Sequence, residues 1–307
     1  MTDPATPLGA LVTVKFDSNG GSEVADVMVP AGELITAPAA PVYKENGYKF
    51  LGWYTTGVEH RPFKFESEKV MEDMTLQAEW EYVGVKSVFN TDDHIAYIAG
   101  FPDGSVRPVA DITRAEVAMI FYRLLRDEVR EQYKTDENGF VDVPVDSWYV
   151  TAVSTLAKMG VIAGRGNGIF DPEAKITRAE FATMAARIDR LDSGDVSFSD
   201  VGSGHWAYRY IISAATKGWV NGYEDGTFRP EQNITRSEVM ALVNRMLERN
   251  TLTVENMLEG MKVWPDNSNV NAWYYLDVQE ATNAHDYVMH GIHEAWTELT
   301  DTLVTNH

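Results

Sequence analysis

ITRAE at 112–116, ITRAE again at 176–180 and ITRSE at 234–238 are three copies of one phrase. Ahead of each lies a glycine turn that ends five residues before the threonine: GFPDGSVRP at 100–108, GRGNGIFDP at 164–172 and GYEDGTFRP at 222–230. Further upstream, FVDV at 140–143 and FSDV at 198–201 precede Trp148 and Trp206. Between the second and third copies these landmarks move from 140 to 198, 148 to 206, 164 to 222 and 176 to 234, a constant displacement of 58 residues. Such self-similarity is the signature of a repeat architecture.

In the first copy no aromatic-x-Asp followed by a tryptophan lies upstream of Thr113; only TDDHIAY stands before its glycine turn. After the third copy, however, WPDNSNVNAWYYLDVQEATNAHDY (264–287) carries Trp264, Asp266 and Trp273 in that order, with one extra residue. The half missing from the start therefore stands at the end. This predicts a body closed on itself, with three units around a pseudo-threefold axis in place of an open solenoid.

Within each unit, apolar residues at Val117, Ile120, Phe121, Leu124 and Leu125, and again at Val239, Leu242, Val243, Met246 and Leu247, give the helical spacing of one core face. A second, shorter helix follows each tryptophan, with Val153, Ile211 and Val278 five positions on, and these helices are expected to meet at the axis. Thr113 with Glu116, Thr177 with Glu180 and Thr235 with Glu238 read as capping boxes, each threonine worth about 1 kcal/mol.

The arginines are not explained by a cap. Arg114, Arg178 and Arg236 stand in the first helical turn, where the macrodipole disfavours a cation by roughly 0.3 to 1 kcal/mol. One reading is an anion cradle, in which free backbone N–H groups, dipole and guanidinium converge on a carboxylate or phosphate. The other is an internal ion pair, with Asp142, Asp200 or Asp266 of a neighbouring unit as partner. The residues alone leave these even.

Composition narrows the remaining choices. The 307 residues favour two or three modules, 44% hydrophobic residues are ordinary for a globular protein, and no stretch approaches the roughly 20 apolar residues of a membrane span. With no cysteine, disulfides, thiolate metal sites and thiol catalysis are excluded. Twenty-six basic against 46 acidic residues give a net charge of −20, which disfavours nucleic acid and anionic membranes as partners. The opening MTDPATPLGA has no basic region followed by an apolar run, so no export signal is expected within the chain.

Residues 11–82 have a different texture. In LVTVKFDSNGG, Val12, Val14 and Phe16 alternate with Leu11, Thr13 and Lys15 before a turn at Asn19-Gly20-Gly21, and MTLQAEWEY alternates again around Leu76, Ala78 and Trp80. Phe50, Trp53, Tyr54 and Trp80 are read as core of a small β module before they are read as a ligand face. The expected layout is a tail at 1–10, the β module at 11–82, a linker at 83–88 and the helical body at 89–287. Its units fall at about 89–135 plus 263–287, 140–192 and 197–250, and a C-terminal helix or tail follows at 288–307.

Taken together, FDSNGGS, PAGELITAPAAPVYKENGYKFLGWYTTG and MTLQAEW resemble the Listeria–Bacteroides repeat, a β-grasp-like module of bacterial surface proteins. F-x-D, the tryptophan-led helix, G-Y-x-D-G-T-F-x-P and I-T-R-A-E, in this order, resemble the S-layer homology repeat over residues 88 to about 287, in three copies. That resemblance implies a trefoil that anchors an exported protein non-covalently to the cell wall of a bacterium, Gram-positive by expectation. Its ligand would be an anionic secondary wall polysaccharide bearing pyruvylated N-acetylmannosamine. It places Arg114, Arg178 and Arg236 on the pyruvate carboxylate, one per groove.

Secondary glycan candidates are Trp148, Trp206 and Trp273, although tryptophans at helix starts more often fill a core, and Gly104, Gly168 and Gly226, which are turn residues first. The second unit has Arg165 where the first has Phe101 and the third Tyr223, and Asn167-Gly168 for Asp-Gly. The first has Val106 where Phe170 and Phe228 stand, so one or two competent grooves are expected.

No nucleophile elbow, HExxH or phosphate loop is present, so neither catalysis nor a cofactor is expected. In HDYVMHGIHEAW (285–296), His285, His290, His293 and Glu294 cluster, and His290 with His293 would share a face of a C-terminal helix. No third ligand is specified there, so no metal is expected. The acidic turns TDENG (135–139) and PDNSN (265–269) leave calcium open as a ligand, although neither follows the twelve-residue EF-hand spacing. The rival functions are a surface adhesin or scaffold whose β module binds a protein, and an anchor that grips peptidoglycan. The chain is expected to be a monomer by itself.

Overall fold

The computed structural model describes residues 9–44, 46–57, 59–251 and 253–300. Most of the tail expected at 1–10 and the last residues, 301–307, lie outside the described residues. The chain divides into two compact units, Met1–Ser87 and Val88–His307.

The first unit is one four-stranded sheet of β1 (Leu11–Asp17), β2 (Val27–Pro30), β3 (Tyr48–Thr55) and β4 (Met74–Tyr82), in the order β2-β1-β4-β3. The central pair β1–β4 is parallel and the outer pairs are antiparallel. Alternation along β1 buries Val12, Val14 and Phe16 against Trp53, Leu76 and Ala78, so one face of the sheet is core. Phe50 packs on both Trp53 and Trp80, with ring centroids 5.6 and 5.3 Å apart. The bulge between Phe50 and Gly52 is accommodated at Gly52, whose φ of 136° favours glycine.

The second unit is mainly helical: α1 (Arg114–Leu124), α2 (Asp127–Tyr133), α3 (Val150–Lys158), α4 (Arg178–Ala186), α5 (Tyr208–Thr216), α6 (Arg236–Met246) and α7 (Tyr275–Thr282). No helix among the described residues is long and apolar enough to cross a membrane. Each helix that follows a tryptophan packs on a helix led by the arginine phrase, α3 on α1, α5 on α4 and α7 on α6. Val153, Ile211 and Val278 are buried in these contacts, as are the apolar faces of α1 and α6.

The short helices were expected to meet at the axis. The structure instead closes the ring with the residues that precede α1, α4 and α6. Ile112 N–H donates to the Ile234 carbonyl (3.3 Å), Ile234 N–H to Ile176 (3.1 Å) and Ile176 N–H to Ile112 (3.1 Å), a cycle of three hydrogen bonds among fully buried isoleucines. A second cycle, running in the opposite sense, caps the helices. Arg114 N–H donates to Ala174 O, Arg178 N–H to Gln232 O and Arg236 N–H to Ala110 O, at 2.9 to 3.0 Å.

Within the helical body the C-terminal segment completes the first of the three repeated units. Both Asp266 carboxylate oxygens accept from Val106 N–H, and one also from Arg107 N–H; Asp142 accepts likewise from Phe170 and Asp171, and Asp200 from Phe228 and Arg229. Trp264 lies against Gly100 as Phe140 lies against Gly164 and Phe198 against Gly222; a Cβ on Gly100 would sit 2.0 Å from the indole. Tyr97 and Ile98 N–H both donate to Ala281 O at the end of α7.

Beyond α7 the expected helix is replaced by a hairpin, β5 (His285–His290) and β6 (His293–Leu299). Its two-residue loop starts with Gly291 at φ 69°, the conformation a tight hairpin turn requires. Trp296 and Glu294 alternate inward on β6, a period of two that was present in the sequence. The helical body thus continues past the boundary expected at 287.

Candidate functional site

Each arginine phrase begins with a built cap. Thr113, Thr177 and Thr235 are extended, their hydroxyls accept from the N–H of Glu116, Glu180 and Glu238, and each glutamate returns to its threonine N–H at 2.8 to 3.0 Å. With the two preceding helix amides donated to carbonyls of the next unit, the first-turn N–H groups are consumed. No free amide cradle remains at these helix starts.

The guanidinium groups are likewise partnered. Arg114, Arg178 and Arg236 are only 4 to 7% exposed. Arg114 Nε donates to Phe170 O (2.8 Å), Arg178 Nε to Phe228 O (2.8 Å) and Arg236 Nε to Val106 O (2.9 Å). Their ion partners are the capping glutamates of the neighbouring unit: Arg114–Glu180 at 3.1 Å, Arg178–Glu238 at 3.5 Å and Arg236–Glu116 at 2.9 Å. The internal-pair reading therefore describes the geometry, but with these glutamates in the place expected for Asp142, Asp200 and Asp266. Burial lowers the pKa of Arg114 and Arg236 and the paired glutamate opposes it. The cation in a helix's first turn is offset by the neighbour's carbonyls and carboxylate.

Around these pairs lie grooves. The larger, a cavity of about 560 Å³, is lined by Arg114, Arg165, Glu180, Met184, Arg187 and Trp206. The corresponding space around Arg236, Phe101, Glu116, Arg123 and Trp148 is a cavity of about 140 Å³. In the third setting Arg178 stacks on Tyr223, 4.9 Å from the ring centroid. Trp148, Trp206 and Trp273 are 59, 58 and 63% exposed, so the expectation of core tryptophans is overturned. The helix turns them outward because the core face is occupied five residues later by Val153, Ile211 and Val278.

The groove walls differ by a paired exchange. In the first and third units Arg107 stacks on Phe101 and Arg229 on Tyr223, each 3.8 Å from the centroid. In the second, Arg165 replaces the ring and Asp171 replaces the arginine, giving an ion pair at 2.6 Å, while Arg165 also holds Glu180 at 2.9 Å. The larger cavity is thus the one whose stacked aromatic has become a second guanidinium.

Models of the S-layer homology domain match residues 140–182 and 197–240, and the model of the Listeria-Bacteroides repeat domain matches 13–79. Residues 140–240 carry two S-layer homology repeats. The chain is 34% identical over 223 residues to cell surface glycoprotein 1 of Acetivibrio thermocellus, covering 68% of this chain and 9% of that protein. To the cellulosome-anchoring protein of the same organism it is 36% identical over 204 residues, covering 64% of this chain and 44% of the relative. The amylopullulanase of Thermoanaerobacterium thermosulfurigenes shares 30% identity over 193 residues, 60% of this chain and 10% of the enzyme. The chain spans less than half the length of each of these relatives.

Not every candidate of the S-layer homology pattern faces a groove. Gly104, Gly168 and Gly226 sit in the turns at φ 70 to 81° and line neither cavity, and Asp142, Asp200 and Asp266 clasp the backbone just after those turns. Asp266 belongs to PDNSN, and in TDENG Asp136 accepts from the Thr151 hydroxyl, so both acidic turns have structural work. Sequence reasoning assigned the glutamates only to caps; their second carboxylate oxygen, aimed at the neighbouring arginine, leaves no local signature. It also grouped His285 and Glu294 with His290 and His293 in one local cluster. The hairpin separates them, bringing His285 and Glu294 to His94 and Glu280 in the interior.

Proposed function

We propose that this chain anchors an exported bacterial surface protein to the cell wall, non-covalently, by holding an anionic wall polysaccharide in the grooves between its S-layer homology units. The carrying observation is the cavity of about 560 Å³, where the exposed face of Trp206 stands beside the guanidinium groups of Arg114 and Arg165. An indole face accepts the apolar side of a sugar ring, and paired guanidinium groups accept a carboxylate. A pyruvate ketal on N-acetylmannosamine combines both features in one residue.

Arg114 and Arg165 both already hold Glu180, so the incoming carboxylate competes with or joins an existing pair. That requirement selects for an anion and disfavours a neutral sugar. It also reconciles binding with a net charge of −20, which repels an anionic polymer until the groove is within about 8 Å at physiological salt. The smaller groove at Arg236 and Trp148, and the setting of Arg178, Tyr223 and Trp273, serve as weaker or narrower subsites.

In this reading the cyclic hydrogen bonds of Ile112, Ile176 and Ile234 support a closed three-unit trefoil, and the sheet order β2-β1-β4-β3 with its parallel centre supports a β-grasp-like spacer. The chain works outside the cell as a monomeric, non-catalytic module, without nucleic-acid partners. Relatives whose names denote anchoring and surface proteins support the same role.

Titration calorimetry with purified wall polymer, before and after removal of its pyruvate, tests the proposal. Binding that disappears with the pyruvate is the expected result. Equal binding of both forms would overturn the carboxylate mechanism in favour of peptidoglycan or a neutral sugar surface, and no binding of either would favour the scaffold role.

A further inference from the structure

Where the C-terminal hairpin meets the start of the first unit, four buried side chains converge. His94, Glu280, His285 and Glu294 are 1 to 5% exposed, and one ligand atom of each lies within 4.8 Å of all the others. His94 Nδ1 is 3.1 Å from His285 Nε2, 3.3 Å from Glu280 Oε1 and 3.3 Å from Glu294 Oε2; His285 Nε2 is 3.4 Å from Glu280 Oε1. A tetrahedral ion with bonds of about 2.0 to 2.1 Å separates its ligands by about 3.3 to 3.4 Å. These four edges, 3.1 to 3.4 Å, come close to that length.

Hydrogen bonding alone does not account for the cluster. Glu280 Oε1 and Glu294 Oε2 are buried with no hydrogen-bond donor. His285 Nδ1 lies 3.0 Å from the Asn283 carbonyl, which requires its proton there and leaves Nε2 as a lone pair facing inward. With both carboxylates ionised, three acceptors face one another, and His94 Nδ1, 3.3 Å from each carboxylate oxygen, is the one group of the four that can donate. Arg249 is committed to the carbonyls of Ile95 and Asp93 and comes no nearer than 4.0 Å to Glu280 Oε1.

The outer atoms, by contrast, are held. Glu280 Oε2 accepts from Trp296 Nε1 (3.1 Å), and the Thr251 hydroxyl lies 2.9 Å from Glu280 Oε2 and 3.0 Å from Glu294 Oε1. The His94 ring stacks on Tyr287 and the His285 ring on Trp296, both with centroids 3.9 Å apart. Oriented outer atoms around unsatisfied inner atoms are the pattern of a metal's second shell.

We propose that His94, Glu280, His285 and Glu294 bind one divalent cation of the zinc class, as a structural clasp that locks the C-terminal hairpin and α7 to the beginning of the first unit. Imidazole and carboxylate ligands in a tetrahedron suit zinc and exclude calcium and magnesium, which require more oxygen ligands. With all four positions filled by protein, the site has no open coordination position and is structural.

The test uses the untagged full chain, stripped with a chelator, dialysed and then titrated with Zn²⁺ or Co²⁺ alone. The expected result is one ion per chain, a cobalt visible spectrum of tetrahedral intensity and an unfolding temperature raised by zinc. Glu294→Gln should lose the ion, and the His290→Ala/His293→Ala double variant, altered at the hairpin tip, should keep it. No saturable binding, or a weak octahedral cobalt spectrum in the native chain, would overturn the proposal even if Glu294→Gln fails to fold. Binding that vanishes in the double variant would assign the ion to the surface histidines instead.

Discussion

Arg114 of one unit and Glu180 of the next are paired at 3.1 Å, and the same relationship runs on through Arg178–Glu238 and Arg236–Glu116 until it returns to the first unit. Each glutamate caps its own helix with one oxygen and holds the neighbour's arginine with the other. The phrase that starts each helix therefore also joins the units.

Removing Arg236 leaves the half-buried Glu116 carboxylate without its cation and the Val106 carbonyl without its donor. Arg236→Ala is expected to cost about 3 to 5 kcal/mol, read as a lowered urea midpoint with an unchanged slope. A loss below about 1 kcal/mol would show that the ring is not a structural element. Because the fold suffers, loss of glycan binding by arginine variants alone does not identify a contact residue.

The tryptophans separate the two effects. Trp206→Ala removes an exposed ring, so stability should change by no more than about 0.5 kcal/mol. Polymer affinity should fall roughly tenfold, about 1.4 kcal/mol. Trp148→Ala, in the smaller cavity, should weaken binding less. Equal affinity of the native chain and Trp206→Ala in calorimetry would remove the larger groove from the binding surface.

A chain ending at residue 250 lacks Trp264, Asp266 and α7, which support the first unit. Val106 and Arg107 N–H lose their acceptor, and Gly100 loses the ring packed on it. Limited proteolysis should then cut within residues 95–110 while 140–250 resists. Uniform resistance would mean that the first unit stands without its C-terminal half.

Acid should loosen the turn clasps. Burial would raise the Asp142 carboxyl, but the amide hydrogens of Phe170 and Asp171 outweigh it and hold the group below the usual carboxylate range. The folded state therefore binds this proton less readily than the unfolded chain. Its stabilisation is present above about pH 3.9 and is lost as pH falls through the lower folded value. Urea midpoints of the native chain should fall more steeply below about pH 4 than those of Asp142→Asn; parallel curves would contradict the assignment.

Much of the architecture was legible in the letters. Helix faces repeat every three to four residues and a capping box spans four, so α1, α4 and α6 with their caps could be read locally, as could the alternation of β1 and β4. The displaced half-repeat was legible too, because Trp264 and Asp266 keep the order of Phe140 with Asp142 and Phe198 with Asp200. The hairpin at 285–299 was missed, residues 288–307 being read as a helix or tail, since two histidines three apart also fit a helical face.

By itself, then, the sequence determined the elements, their caps and their repetition, all of which depend on neighbours a few residues away. Only the tertiary structure decided that Arg114, Arg178 and Arg236 turn to glutamates about 60 residues or more distant, and that Trp148, Trp206 and Trp273 face solvent. It also decided that His94 meets His285 across 191 residues. The choice of partner for a buried charge, and the side of a helix that becomes the core, depend on which surfaces the closed ring brings together, and no local pattern carries that information.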